Sequence, residues 1–119
     1  MARAIYEIKL KYRMFPAQSA ADALEMQKNG DLCEGIAEDD VEVSEVVSEE
    51  DALKLMVLAA TMYDTGVFSD AEVQTAVESV IVKLGYLSEY KEIADCVITW
   101  VERLCDGMTV TEIKEWMIG

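Results

Sequence analysis

The chain has 119 residues, 52% of them hydrophobic, with 10 basic and 24 acidic side chains and a net charge of −14. That length suits one domain spanning 1–119, and the apolar content is enough for a packed core, which excludes disorder over most of the chain. An isoelectric point near 4.2 argues against direct binding to bare nucleic acid or to anionic membranes and points to a basic protein as the electrostatic partner.

No apolar run reaches the length of a membrane span, and the N-terminal residues lack the apolar core of a signal peptide. The expected location is cytoplasmic. Charge is unevenly distributed. Residues 1–15 hold four basic side chains against one acid, a net of +3, whereas the remaining 104 hold six against 23, a net of −17.

In chain order, Ala4, Tyr6, Ile8, Leu10, Tyr12 and Met14 alternate with Glu7, Lys9, Lys11 and Arg13. Period 2 predicts one half-buried strand with a solvated basic face, stopped by Pro16. Ser19 is placed to cap a helix from Ala20 to about Asn29, with Asp22 in its first turn and Gly30 at the left-handed stop. Val41 and Val43 flank Glu42 and predict a second strand near 40–47. Val46 and Val47 break the alternation, which calls for a bulge or an early end. Residues 1–47 therefore read as a strand-helix-strand subdomain, whose strands the long connection allows to be parallel or antiparallel.

Ser48 opens a different pattern. Ser48-Glu-Glu-Asp51 resembles a capping box and starts a helix ending at Gly66, apolar almost all round and hence central. Ser69-Asp-Ala-Glu72 is a full capping box. Its helix carries Val73, Ala76, Val77, Val80, Ile81 and Leu84 on one stripe and stops at Gly85. Ser88 is expected to cap a third helix bearing Ile93, Val97, Trp100, Val101 and Leu104. Thr109-Val-Thr-Glu112 opens a short last one with Ile113, Trp116 and Met117. The fold class is α+β: a small N-terminal unit packed on a helical subdomain, 48–119, of three to four helices.

The chain has no histidine, which removes the usual general base, the common triads and all His-ligated metal sites. No Gly-rich phosphate loop, CxxC pair or zinc spacing occurs. Glu38-Asp39-Asp40 is the obvious carboxylate cluster, but it lacks the calcium-loop pattern. Cys33 lies between acids that raise its pKa, the reverse of what a nucleophile needs. Cys96 and Cys105, nine residues apart on one helix, fall on opposite faces, so all three cysteines are expected to be reduced and structural. No catalytic residue, metal ligand or cofactor is assigned.

Residues 31–51 carry ten carboxylates and no Lys or Arg. Glu49, Glu50 and Asp51 complement the dipole of the helix they begin. Asp31, Glu34, Glu38, Asp39, Asp40, Glu42 and Glu45 have no such local role and are the candidate partner-binding residues. Three interpretations apply: a solubilising surface, a docking surface for a basic protein, or a row of negative charge imitating phosphates. Alternate strand residues lie about 6.6 Å apart, which suits such a row, although Ser44 interrupts it. Trp116 is a second candidate, because a short terminal helix buries little and an exposed Trp makes a good anchor. Two strands also leave unpaired edges, which makes a homodimer an option, with the basic first strand as the expected seam.

Ile5-Tyr-Glu-Ile-Lys-Leu-Lys-Tyr-Arg13, Ser19-Ala-Ala-Asp-Ala-Leu-Glu25 and Val41-Glu-Val-Ser-Glu-Val-Val47 together resemble a strand-helix-strand unit of small phage and mobile-element proteins. Small size, acidity and the lack of catalytic motifs resemble anti-CRISPR inhibitors. That resemblance implies a non-enzymatic inhibitor, acting in the host cytoplasm, that blocks the groove or assembly of a nuclease or other nucleic-acid-binding protein. The alternatives are an adaptor or homo-oligomer using the helical face around Trp116, and a small enzyme working through carboxylates.

Overall fold

The first seventeen residues do not run out as one strand; they fold back. In a computed structural model, which describes residues 2–8, 13–30 and 43–119, β1 spans Ala4–Ile8 and β2 spans Arg13–Ala17. The two pair antiparallel, with Ala4 opposite Ala17 and Ile8 opposite Arg13. Leu10 and Tyr12, assigned to the same long strand by their alternation, lie outside the described residues. Pro16 does not end the strand but sits within β2, opposite Ile5. That is tolerated because β2 is an edge, where a missing N–H need not cost a ladder bond.

Helix α1, Ala20–Gly30, begins as expected: the Asp22 N–H donates to Ser19 Oγ at 3.1 Å. Strand β3, Val43–Val47, then pairs antiparallel with the other side of β1, giving the sheet order β2-β1-β3. β2 and β3 therefore run parallel to each other with β1 between them, and α1 makes the crossover. The break in alternation at Val46 is real. The register shifts there, so that Tyr6 faces Glu45 but Ile5 faces Val47.

Both faces of this sheet are covered. Ile8, Phe15 and Ala17 pack with Ala23 of α1. On the other face Ile5, Met14 and Val47 join the main core. Of the face expected to be solvated, Ile5 is fully buried and Glu7 half-buried, because helices cover both sides of the sheet there; Lys9 and Lys11 lie outside the described residues. β1, the first part of the expected strand, is central and paired on both sides, so no edge-to-edge dimer seam can form through it.

Four helices complete the described chain: α2 Glu49–Thr65, α3 Asp70–Lys83, α4 Tyr90–Cys105 and α5 Val110–Ile118. α2 is central, with Ala52, Leu55, Met56, Ala59 and Ala60 fully buried. It touches β1, α3, α4 and α5. Its ends follow from single residues: Ser48 Oγ accepts the Asp51 N–H at 3.3 Å, and Gly66 takes φ 69°. The capping boxes at Ser69/Glu72 and Thr109/Glu112 are both complete. After α3, Gly85 adopts φ 101°, which lets its N–H reach Val82 O at 3.0 Å and the Tyr86 N–H reach Ile81 O at 3.3 Å. Ser88 does not cap α4; Glu89 occupies that position without a side-chain capping bond.

Arg3 stitches the chain's ends to this frame. Its N–H donates to Met117 O at 2.6 Å and its Nε to Trp116 O at 3.0 Å. One terminal nitrogen, Nη1, reaches Pro16 O at 3.2 Å and Asp22 Oδ2 at 3.3 Å. The guanidinium lies 3.9 Å from the centre of the Trp116 ring. Burial lowers the pKa of Arg3, and the charge of Asp22 works against that shift.

Two outcomes are expected. Arg3→Ala should cost about 2–3 kcal/mol in urea unfolding, by leaving half-buried carbonyls without donors and Asp22 without its cation; a loss under about 0.5 kcal/mol would contradict the role given to it. Cys96 is buried, donates its S–H to Met14 O at 3.5 Å, and has its pKa pushed up to about 12 by burial. Cys105 is exposed, unlike the structural role expected of it. A thiol reagent at pH 8 should therefore modify Cys105 in the native protein and Cys96 only on unfolding, as read by peptide mass mapping.

Candidate functional site: an acidic cleft beside the third strand

Of the eight predicted partner-binding residues, Glu45 and Trp116 are described. Asp31, Glu34, Glu38, Asp39, Asp40 and Glu42 lie outside the described residues, as does Cys33. Glu45 is exposed on β3, opposite Tyr6. Trp116 is half-buried and occupied from within the chain. Trp100 stacks on it at 6.2 Å between ring centres, Phe15 meets Trp100 edge-on at 5.9 Å, and Arg3 covers the Trp116 ring. It holds α5 to the sheet and α4 rather than presenting a free anchor.

Glu45 is not isolated. A cleft of about 370 Å3 runs between the β1–β3 side of the sheet and the loop joining α3 to α4. Its lining includes Glu7 from β1, Ser44 and Glu45 from β3, and Tyr86, Ser88 and Glu89 from the loop. Glu7 and Glu45 border it from opposite faces of the sheet, since Glu7 pairs with Ser44 and Glu45 with Tyr6, and among the described residues no Lys or Arg lines it. Among the described residues none of the three glutamates forms an ion pair. Among the described residues, none hydrogen-bonds to the buried Oε2 of Glu89, and a carboxylate oxygen desolvated without a donor costs about 1–3 kcal/mol.

The loop that carries Glu89 is held by Tyr86. The left-handed Gly85 turns the chain out of α3, and the Tyr86 hydroxyl donates to Asp51 Oδ2 at 2.7 Å. Asp51, whose N–H is capped by Ser48, uses its side chain to anchor this loop to the start of α2. Burial raises the Tyr86 pKa first, and its bond to Asp51 raises it further. Tyr6 reports the local field: its pKa is raised by burial, then by the charges of Glu45 and Glu49.

Sequence reasoning found Glu45 but missed Glu7 and Glu89. In the sequence Glu7 sits among the lysines of a basic strand face, and no pattern singles out Glu89. Their place beside this cleft depends on sheet order and on the exit from α3, which no local pattern encodes. Chemically, the cleft can accept cationic or hydrogen-bond-donating groups. Among the described residues no group of three or more His, Cys, Asp or Glu side chains is arranged to hold a metal ion, and no helix is long and apolar enough to cross a membrane.

A tyrosine titration followed by NMR checks this electrostatic picture. Tyr6 should titrate above its usual value of 10, and Glu45→Gln should bring the midpoint down. A raised tyrosine pKa means that the folded state holds its proton more tightly. The associated stability is therefore present below pH 10 and is lost as pH rises through the folded value. An unchanged midpoint in Glu45→Gln would show that Glu45 does not bear on this site.

Comparison of the chain with protein-family models, with curated proteins and with solved structures gave no match.

Proposed function

We propose that this is a non-enzymatic acidic binding protein that docks on a basic, nucleic-acid-handling protein and blocks its groove or assembly. The observation that carries the proposal is a cleft bordered by Glu7, Glu45 and Glu89 with no basic residue among the described residues of its lining. Like charges gathered without counterions lower the stability of the chain that bears them, and a cationic partner relieves that cost. Residues 31–42, which precede β3 in the chain, carry six further carboxylates.

The mechanism is steric and electrostatic. The acidic flank occupies a Lys- or Arg-lined groove that would otherwise hold nucleic acid, in the manner of an anti-CRISPR-type inhibitor. No covalent step is needed, and no cofactor is invoked. The alternative of docking through the helical face around Trp116 has less behind it, because that ring already stacks on Trp100 and Arg3. A carboxylate enzyme would have to be built on Glu38–Asp40, without a histidine to assist it.

Reversal of Glu38, Asp39, Asp40 and Glu42 to lysine should abolish capture of basic proteins while leaving the helical circular dichroism unchanged. Capture by the wild type should weaken steeply with salt and vanish near 1 M, where the Debye length is about 3 Å. Unchanged capture by the reversed variant, or capture indifferent to salt, would overturn the proposal.

A further inference from the structure

We infer that two copies of the chain associate through the outer face of α3, packed antiparallel about a two-fold axis. This association does not depend on the acidic docking proposed above.

Helix α3 packs mainly on α2 and α4. Among the described residues five large hydrophobic side chains are exposed, and four of them belong to α3 or flank it. Val67 and Phe68 precede the helix at 75% and 42% exposure, Val82 lies within it at 40%, and Leu87 follows it at 65%. Exposed apolar side chains gathered in one stretch mark an interaction surface, whereas single scattered ones do not. At about 100° per residue, Ala71, Thr75, Ser79 and Val82 fall within an arc of about 80°. All four are exposed, on the side of the helix away from buried Val73, Val77 and Ile81. The arc carries no charge, so a second helix can lie along it without desolvating an ion.

Charge selects the occupant and its direction. Glu72 and Lys83 lie on the same flank of the arc, one near each end of the helix. Two copies packed antiparallel about the level of Val77 set Lys83 of each about one residue, or about 1.5 Å along the axis, from Glu72 of the other. The same symmetry sets Thr75 opposite Ser79. It also brings Val67 and Phe68 of one copy to the end where Leu87 of the other lies. Glu72 gives one carboxylate oxygen to the Ser69 N–H at 3.0 Å, which leaves the second for the lysine. A parallel pair would set Lys83 against Lys83. An unrelated partner would need an acid and a base spaced to match, whereas a second copy carries both by symmetry. Half-buried Glu78 lies on the opposite flank, where the two copies repel. With a net charge of −14 on each chain, association is weakest at low salt and strengthens as salt screens the repulsion.

Sedimentation equilibrium of the full chain tests this. A reversible dimer should form, and its Kd should fall as salt rises from about 0.05 M to about 0.5 M, the reverse of the acidic docking. Val67→Glu and Leu87→Lys lie at exposed positions and should leave the circular dichroism unchanged. Each should raise the dimer Kd at least about tenfold. An equimolar mixture of the two variants should restore most of the lost dimer, because antiparallel packing sets the new acid of one chain near the new base of the other. A chain that stays monomeric at about 200 μM in high salt would overturn the association. A dimer that neither substitution weakens would overturn its place on α3. Variants that lose the dimer and do not recover it on mixing would overturn the antiparallel packing. A monomer that captures a foreign protein through Val67 and Leu87 would give the face to that protein and not to a second copy.

Discussion

Arg3 is the contact on which the arrangement of this chain turns. A guanidinium can serve several acceptors in one plane, and here it joins the N-terminus to β2, α1 and α5 at once. Those elements begin and end far apart in sequence. Without the guanidinium, the Arg3 N–H bond to Met117 O would remain, but the links to Trp116 O, Pro16 O and Asp22 would be lost. Trp116 completes the joint, because its ring stacks on Trp100 and lies under Arg3. One of the chain's ten basic residues is thereby committed to internal structure in a protein that is short of positive charge.

The sheet follows from that joint. With α1 on one face and the helical core on the other, β1 is buried on both sides and all variation falls to the edges. β2 turns inward and is closed by proline and by side-chain donors. β3 carries the negative charge and borders the acidic cleft. The molecule thus has one edge strand tied into the fold by internal contacts and another that borders a cleft edged with acidic residues.

The helical half was legible in the sequence because its signals are local. Ser48, Ser69 and Thr109 mark starts, Gly66 and Gly85 mark stops, and the 3.6-residue stripes name the buried residues between them. Helix α1 was equally readable from Ser19 and Asp22. The hairpin was not, since period 2 continues unbroken through Met14 and conceals the point where the chain folds back. Pro16 compounded this by looking like a terminator rather than an edge residue. Ser88 failed as a cap because the chain leaving Gly85 places Glu89, not Ser88, at the start of α4. Of the candidate site, Glu45 was visible as one acid in a run, whereas Glu7 and Glu89 join it only through tertiary folding.

The central claim is that the carboxylates beside β3 serve binding and not folding. Replacing Glu7, Glu45 and Glu89 together with glutamine measures this directly, through thermal unfolding at neutral pH. The account predicts that the triple variant melts at or above the wild-type temperature, as repulsion is relieved and the buried oxygen of Glu89 is no longer part of a charged group. A clear fall in melting temperature would show that these acids hold the fold together and would contradict the claim.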